Sequence, residues 1–232
     1  MSDLQQSADG EGLVFLYDVD NTLLNNDQLK DDADSQLDRL LGLEWSDTFW
    51  RIYEEVRQQE DVVDIPQTMR LFDKQCTDPK VCTGVHFVFD DVDFRHYLYP
   101  GALDALAHTG RLGTNVIVSD GDAVFQKAKI ERSGLADAVG GNVLIFIHKE
   151  QHVAEITSRY PGSRYVMTDD KPHILKAMPP LFGPRLTTVF VLQGKYAHDP
   201  KERDGFHPDL ILPAIGDMCC YSASDFRKGK TS

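Results

Sequence analysis

Five short apolar segments, each followed at once by a polar residue, constrain the fold of this chain more than any other feature. They are rich in Val, Ile, Leu and Phe and lack a regular polar alternation, as is typical of strands that are buried on both faces of a parallel sheet. Helix-like stretches alternate with them, which favours a doubly wound α/β sheet. The strand-like segments are Leu13–Tyr17, Asn115–Val118, Val143–Ile147, Tyr165–Thr168 and Thr187–Leu192, and the helix-like stretches are Gly101–His108, Ala123–Ser133, Gln151–Tyr160 and Pro172–Met178.

Residues 26–96 interrupt this alternation with apolar side chains at helical spacing. These side chains are Leu29, Ala33, Leu37, Leu40 and Leu41, followed by Phe49, Trp50, Tyr53 and Val56, and a further helix is predicted to begin at Pro66. We therefore predict a helical cap over residues 26–96, inserted into a catalytic core formed by residues 1–25 and 97–232. The aromatic residues Trp45, Phe49, Trp50 and Tyr53 are expected to form the core of the cap rather than a stacking surface for a substrate.

The charge balance excludes several classes of partner. The chain of 232 residues has 37 acidic and 24 basic side chains, a formal net charge of −13, and 17 of the acidic against 8 of the basic residues fall within residues 26–96. So acidic a protein repels phosphate backbones and anionic bilayers, and we expect neither nucleic-acid nor membrane binding. No apolar run approaches the roughly 20 residues of a membrane span, and the polar start does not resemble a signal peptide. We expect a cytoplasmic protein. The tail from Ser222 to Ser232, which is polar and mildly basic, is expected to be frayed.

Carboxylates follow two of the predicted strands. Asp18 and Asp20 come directly after the first strand, and Asp169 and Asp170 follow the fourth. The carboxyl ends of parallel strands meet at one edge of a sheet, where ligands bind. Like charges held so close together are tolerable if a divalent cation binds between them, and a few carboxylates supplemented by water suit Mg²⁺ better than zinc or a caged calcium ion.

Four segments of the chain resemble, in order and spacing, the motifs of the haloacid dehalogenase (HAD) superfamily of hydrolases. The first is an apolar strand followed by the pattern DxDxT, which ends at Thr22. The second is a strand that ends in Ser119, the third is Lys149 after another strand, and the fourth is the acid pair Asp169-Asp170. The resemblance covers about residues 13 to 193. It implies a Rossmann-like core, a helical cap inserted after the first motif, and a phosphatase-type hydrolase.

The resemblance also implies a role for each motif residue. Asp18 would be the nucleophile that forms an aspartyl-phosphate, and Asp20 would be the general acid and base. Lys149 would neutralise both the nucleophile and the phosphoryl group. Thr22 would shape the loop next to the substrate, and Ser119, followed by Asp120 and Gly121, would bind the phosphoryl oxygens.

The implied cofactor is Mg²⁺, held by Asp18, the backbone carbonyl of Asp20 and the acid pair. Which member of that pair is the direct ligand stays open, with Asp170 favoured and Asp169 expected behind it. The third motif departs from the commonest pattern because Glu150, not proline, follows Lys149. Lys127 and Lys129 therefore compete with Lys149 for its role.

Three functions are compatible with these residues. The first is hydrolysis of a small phosphomonoester, a small-molecule partner. The second is dehalogenation of a 2-haloacid, which shares the fold and nucleophile but does not need an acid at Asp20. The third is a phosphoacceptor or binding module without enzymatic activity. In receiver domains of that kind, the acid pair precedes the phosphorylated aspartate, whereas in this chain it comes last.

Overall fold

A six-stranded parallel sheet forms the centre of the protein. The computed structural model describes residues 12–60 and 63–227. The strand order in the sheet is β3-β2-β1-β4-β5-β6, so β1 lies between β2 and β4 at the point where the order reverses. The strands are β1 (Leu13–Tyr17), β2 (Thr114–Asp120), β3 (Val143–Phe146), β4 (Arg164–Asp169), β5 (Leu186–Val191) and β6 (Leu210–Leu212). The predicted doubly wound parallel α/β sheet is confirmed, with β6 as an edge strand that the sequence did not predict.

Helices cover both faces of the sheet. The α-helices are α1 (Asn26–Leu41), α2 (Leu43–Glu60), α3 (Ile65–Gln75), α4 (Pro79–Asp90), α5 (Ala102–Thr109), α6 (Phe125–Arg132), α7 (Leu135–Ala138), α8 (Val153–Arg159), α9 (Pro172–Ala177), α10 (Pro179–Phe182), α11 (Gly194–Ala197), α12 (Pro200–Arg203) and α13 (Ala223–Arg227). Short 3₁₀ helices occur at Phe94–Tyr97, Lys149–His152, Gly183–Arg185 and Ile215–Cys220. Within the described part of the chain, no helix is both long and apolar enough to cross a bilayer.

Strand β1 shows why the sheet is buried on both sides. All five of its residues are buried, and because successive side chains of a strand point to opposite faces, Phe15 and Tyr17 join one apolar cluster while Val14 and Leu16 join the other. The first cluster lies against α5, α6 and the C-terminal segment, and the second against α8, α9 and α10. A strand buried on both faces holds its carboxyl end rigidly, which positions the residues that follow it.

Helices α1–α4 together form what we call the helical unit, residues 26–90. Its own apolar core includes Leu37, Phe49, Val56, Phe72 and Phe89. Helices α3 and α4 both begin with an Asp cap followed within two residues by proline, a strong helix start. The sequence predicted α1, α2 and α3 but not α4. A division into two domains at residues 25/26 and 96/97 stays a prediction.

The aromatic residues of α2 have mixed surroundings. Phe49 and Tyr53 are buried in the core of the helical unit, and Trp45 and Trp50 pack against that core, as predicted. Trp50 and Tyr53 also line the cavity described below. Helix α2 therefore contributes side chains both to the core of the helical unit and to the wall of a cavity.

The prediction that the C-terminal tail is frayed was wrong for residues 222–227. Residues 223–227 form α13, and Phe226 is fully buried with its ring 5.1 Å from that of Phe15. The Thr187 hydroxyl donates a hydrogen bond to the Phe226 carbonyl at 2.7 Å. A single aromatic residue in a polar segment is a weak periodic signal, so the sequence did not reveal this contact. Residues 228–232 and the N-terminal residues 1–11 lie outside the described residues.

Candidate active site

The loop after β1 is a tight turn that separates two aspartates. Asp18 is buried at 2% exposure, whereas the side chain of Asp20 is 25% exposed. The carbonyl of Val19 accepts hydrogen bonds from the three successive backbone N–H groups of residues 22, 23 and 24. Asn21 has a φ of 60°, a left-handed conformation that Asn tolerates better than most residues. The turn therefore leaves Asp18 buried and places Asp20 where it lines a cavity.

Lys149 lies at the centre of a buried charge cluster. Its ammonium is 2.6 Å from Asp18 Oδ1 and 2.7 Å from Asp169 Oδ2, and its side chain is fully buried. His148, the residue before it, has a φ of 61°, so the chain turns sharply after β3. This turn directs Lys149 back under the ends of β1 and β4.

A trio of carboxylates surrounds this lysine on one side. Asp18, Asp169 and Asp170 are all buried, and one carboxylate oxygen from each lies within 4.8 Å of the others. Asp169 is occupied by protein groups, because Oδ1 accepts the Lys171 N–H at 2.8 Å and Oδ2 faces Lys149. Asp169 Oδ2 has no hydrogen bond within the described part of the chain, but it makes the ion pair with Lys149. By contrast, Asp18 Oδ2 and both oxygens of Asp170 have neither a hydrogen bond nor an ion pair among the described residues. Buried carboxylate oxygens without a partner are costly unless a cation binds them, so these three oxygens fit a divalent metal ion.

Burial and charge act in opposite directions on these groups. Burial alone would raise the pKa of Asp18, but the ammonium groups of Lys149 and Lys171 outweigh it, and the pKa lies below the usual value. Burial raises the pKa of Asp170 well above the usual value, and the charge of Asp169 raises it further. Asp18 is thus held as a carboxylate, the form that a nucleophile needs.

Both lysines of the cluster are held as cations. Burial alone would lower the pKa of Lys149, yet Asp169 and Asp18 raise it above its usual value. The same balance raises the pKa of Lys171, where the carboxylates of Asp18 and Asp169 outweigh burial. The site therefore contains two fixed positive charges at the strand ends of a strongly acidic protein.

The end of β2 provides the second wall of the site. Ser119 is 1% exposed, and its hydroxyl accepts a hydrogen bond from Gln126 Nε2 at 2.7 Å, which leaves the hydroxyl hydrogen available for donation. Asp120 Oδ1 accepts the backbone N–H of Lys149 at 2.7 Å and so ties β2 to the turn after β3. Gly121, whose N–H donates to the carbonyl of Phe146, lies in the cavity wall.

Asp20 is held by a contact between the core and the helical unit. Lys129 Nζ lies 2.7 Å from Asp20 Oδ1 and 2.9 Å from the side-chain oxygen of Asn26, the first residue of α1. The Lys129 side chain is only 3% exposed. Lys149 and Lys129, which the sequence offers as alternatives for the third motif, thus have different partners: Lys149 contacts Asp18, and Lys129 contacts Asp20.

The remaining predicted residues are placed as follows. Thr22 is fully buried within the turn, where its carbonyl accepts a hydrogen bond from Gln193 Nε2 at 2.9 Å and its hydroxyl has no partner among the described residues. It does not line the cavity. Lys127 is exposed on α6 and lies 3.8 Å from Glu131. The structure therefore brings Asp18, Lys149, Asp169 and Asp170 together, places Ser119, Asp120 and Asp20 around them, and leaves Lys127 on the surface.

A cavity of about 340 Å³ is lined both by residues at the strand ends and by residues of the helical unit. The buried residues of the cluster do not line it, namely Asp18, Ser119, Lys149, Asp169 and Asp170. Asp20, Asp120, Gly121 and Lys171 line its floor, and residues of α1 and α2 line its far wall. Its size suits a small ligand. A ligand in this cavity would be enclosed by both parts of the molecule.

Sequence reasoning missed several residues of the site. Lys171 follows the acid pair directly and could have been found by its position at the end of β4. The sequence offers Lys129 only as a competitor of Lys149, not as the partner of Asp20, and it gives no sign of Gln126. These two residues are three apart and so share one face of α6, which no sequence pattern distinguishes. Lys195 and Tyr196 follow β5 by a few residues, in a part of the chain that none of the four motifs covers. A side chain at Gly194, whose φ is 68°, would overlap the side chain of Asn21, so the glycine lets this segment approach the β1 loop.

The fold and the site together define an α/β protein with a carboxylate and lysine cluster at the strand ends beneath a helical unit. A solved structure of a haloacid dehalogenase-like hydrolase from Burkholderia xenovorans LB400 is similar to this chain at 43% sequence identity. The match has a TM-score of 0.84 and covers 91% of this chain and 99% of the other. The chain therefore belongs to the HAD-like hydrolases. No protein-family model matches it, and neither does any curated protein.

More distant structures share the fold alone. The HAD-hydrolase YfnB of Bacillus subtilis, crystallised with magnesium, is 15% identical with a TM-score of 0.58 and covers 90% of this chain and 97% of its own. A 2-haloacid dehalogenase from Pseudomonas syringae pv. Tomato DC3000 is also 15% identical, with a TM-score of 0.58 and coverage of 90% and 96%. Phosphate-ester and halide chemistry are therefore not distinguished by the fold.

Proposed function

We propose that this hydrolase cleaves a small phosphomonoester in a Mg²⁺-dependent reaction through an aspartyl-phosphate on Asp18. One observation carries the proposal: a second acid, Asp20, lies on the cavity floor two residues after the buried carboxylate of Asp18. Dehalogenation needs the nucleophile but no acid at this position, because a halide leaves without a proton. Loss of an alkoxide does need one.

In the first step, a carboxylate oxygen of Asp18 attacks phosphorus and the ester P–O bond breaks. Asp20 donates its proton to the departing oxygen, so the product leaves as an alcohol. The carboxylate that remains on Asp20 is stabilised by Lys129 at 2.7 Å. Lys149 holds Asp18 in the attacking orientation, since its ammonium contacts the carboxylates of Asp18 and Asp169 at the same time.

In the second step, Asp20 accepts a proton from water, and the resulting hydroxide attacks phosphorus. The bond between Asp18 and phosphorus breaks, and inorganic phosphate forms as Asp18 regains its carboxylate. Ser119 would donate a hydrogen bond to a phosphoryl oxygen, and Lys149 and Lys171 would balance the charge of the phosphoryl group. The N–H of Gly121 already donates to the carbonyl of Phe146, so Gly121 would line the site without donating this hydrogen bond.

The residues present fit a Mg²⁺ ion. Asp18 Oδ2 and the two free oxygens of Asp170 are hard ligands of the kind that Mg²⁺ prefers, with the backbone carbonyl of Asp20 as a further candidate. When bound, the ion would reduce the repulsion between the carboxylates and an incoming phosphate. The magnesium found in YfnB supports this choice of metal. Because Oδ1 of Asp169 accepts a hydrogen bond and Oδ2 lies 2.7 Å from the Lys149 ammonium, we propose Asp170 as the direct ligand and Asp169 as the residue that holds Lys149.

The decisive experiment is steady-state hydrolysis of p-nitrophenyl phosphate and of a panel of sugar, nucleotide and amino-acid phosphates, in Mg²⁺ or in EDTA. We expect phosphate release in Mg²⁺ and little in EDTA. Asp18→Asn should lower kcat on the order of 10⁴-fold or more, as loss of a nucleophile does. Asp137→Asn, an exposed position on α7 far from the cluster, is the matched control. Metal-independent chloride release from 2-chloropropionate, with no hydrolysis of any phosphate, would replace the proposal with dehalogenation.

The role of Asp20 has its own test. Asp20→Asn should lower kcat by about 10²–10⁴-fold for sugar phosphates, whose alkoxides leave poorly without a proton. The loss should be smaller for p-nitrophenyl phosphate, because nitrophenolate is a good leaving group. The measurement is kcat for both substrates with parent and variant. An equal loss for both would contradict general acid catalysis by Asp20.

A further inference from the structure

The far wall of the cavity contains a cation that the proposed chemistry does not use. Five basic side chains line the cavity, namely Lys30, Arg57, Lys129, Lys171 and Lys195. Arg57 is paired with Glu54, Lys129 with Asp20, and Lys195 with Asp27 at 3.9 Å, while Lys171 lies among the carboxylates of the site. Lys30, on α1, differs from them: among the described residues, no carboxylate lies within ion-pair distance of its ammonium.

The surroundings of Lys30 hold the ammonium in place without neutralising it. Its Nζ lies 4.6 Å from the ring centre of Tyr53 and 5.6 Å from that of Trp50, both cation–π contacts. Burial lowers the pKa of Lys30, and the nearby positive charge of Lys195 lowers it further. Asp27 and Glu54 act in the opposite direction, although neither lies within ion-pair distance of Lys30. Lys30 and Lys195 line the same cavity, and an anion bound between them would relieve the repulsion between the two ammonium groups.

Lys30 also lies near the proposed reaction. Asp20, the proposed acid, and Tyr53, whose ring contacts the Lys30 ammonium, line the same cavity as Lys30. The Trp50 indole lines the same cavity, and its buried N–H has no acceptor among the described residues. Among the described residues, the Lys30 ammonium thus has no ion-pair partner and the Trp50 N–H has no acceptor, and both side chains line the cavity.

We propose that Lys30, assisted by Lys195 and the Trp50 N–H, binds a second anionic group of the substrate. The preferred substrates are then small phosphomonoesters that carry a carboxylate or a second phosphate at the end remote from the reacting phosphate. This inference rests on the proposed phosphatase function and makes Lys30 a specificity-determining residue. The two carboxylates of the helical unit that line the cavity, Asp27 and Glu54, are paired with Lys195 and Arg57, so the attraction for a second anionic group would come from Lys30.

The inference is tested with non-hydrolysable phosphonates in matched pairs. Phosphonocarboxylates with two, three or four methylene groups are compared with alkylphosphonates of the same chain length, by calorimetric titration of the full-length protein in Mg²⁺. For at least one length, we expect the carboxylate to bind about 10-fold more tightly, which corresponds to about 1.4 kcal/mol. Lys30→Met retains the apolar stem and should abolish this preference, and Lys195→Met should reduce it.

A matched control separates a local from a general charge effect. Lys127→Met removes one positive charge from the exposed face of α6 and should retain the full preference for the carboxylate. Thermal unfolding of each variant shows whether it is folded at the titration temperature. If Lys30→Met does not fold, Lys30→Gln and Lys195→Met provide the same comparison.

The outcomes distinguish this inference from the proposed function. If the parent hydrolyses phosphomonoesters but binds both members of every pair equally, or if Lys30→Met and Lys195→Met retain the preference, the role of Lys30 is overturned and the phosphatase proposal stands. If the parent neither binds a phosphonate nor hydrolyses any phosphomonoester, the phosphatase proposal fails and this inference fails with it. A kcat/KM preference for phosphorylated acids over neutral phosphomonoesters that disappears in Lys30→Met would support it further.

Discussion

At the scale of single residues, the difference between Asp169 and Asp170 shows how a pair of identical side chains acquires two roles. Asp169 accepts the N–H of Lys171 and faces Lys149, so its charge is compensated by the protein. Asp170 is equally buried but has neither contact, and its two oxygens lack partners among the described residues. The charge on Asp170 therefore calls for a ligand from outside the chain.

Metal binding should consequently stabilise the fold. A ligand that binds only the native state adds about 2.7 kcal/mol at 100 times its dissociation constant, which for a chain of this size corresponds to a rise in Tm of roughly 5–10 °C. We expect that shift on replacing EDTA by saturating Mg²⁺, measured by thermal unfolding with NaCl at matched ionic strength as the reference. In Asp170→Asn, most of the shift should disappear. A full Mg²⁺ shift in that variant would show that Asp170 is not a ligand.

At the scale of elements, the helical unit shows how a helix that the sequence predicts, α3, is joined to one that it does not predict, α4. Helices α3 and α4 are linked by His86 of α4, whose Nε2 lies 3.0 Å from Asp73 Oδ2 of α3, while its Nδ1 lies 3.4 Å from Asp90 Oδ2. The hydrogen bond to Asp73 raises the pKa of His86, against the smaller opposing effect of burial. The link between these helices therefore depends on the protonation of one histidine.

The stability of the helical unit should depend on pH through this contact. Because the pKa of His86 in the folded state exceeds its usual value of 6.5, the ion pair stabilises fully below pH 6.5, and this contribution is lost as pH rises through the folded-state pKa. Solvent screens the pair, so the contribution is at most about 1 kcal/mol. Urea unfolding of parent and His86→Gln should show a larger difference in the free energy of unfolding at pH 5.5 than at pH 8.5. Asp73→Asn should show the same trend, and a difference independent of pH would contradict the assignment.

At the scale of the whole molecule, part of the segment that the sequence predicted to be frayed packs against one face of the sheet. Helix α13 packs Phe226 against Phe15 of β1, the central strand, and its backbone accepts hydrogen bonds from Thr187 and Arg164. The end of the described chain is thus attached to the strand that carries the nucleophile. Contacts of this kind join parts of the chain that are far apart in sequence.

Removal of this contact should destabilise the whole molecule. Phe226→Ala should lower the free energy of unfolding by about 3–5 kcal/mol, as deletion of a fully buried Phe side chain does. The comparison is Ser224→Ala, an exposed position of the same helix, which should change it by less than about 0.5 kcal/mol. Both values come from urea unfolding in EDTA. A loss below 1 kcal/mol for Phe226→Ala would mean that α13 contributes little to the fold.

Sequence alone determined the parallel α/β sheet, five of its six strands and the presence of helices between β1 and β2, because these depend on local periodicity. The roles of the four motif positions stay predictions. The cytoplasmic location and the small-molecule partner stay predictions. Only the tertiary structure decided which lysine contacts which aspartate: Lys149 reaches Asp18 across 131 residues of sequence, and Lys129 reaches Asp20 across 109. It also decided that Asp170 has free oxygens and that Lys30 faces the cavity. These outcomes depend on packing between distant elements, which determines how each charge is buried and paired and which no local pattern encodes.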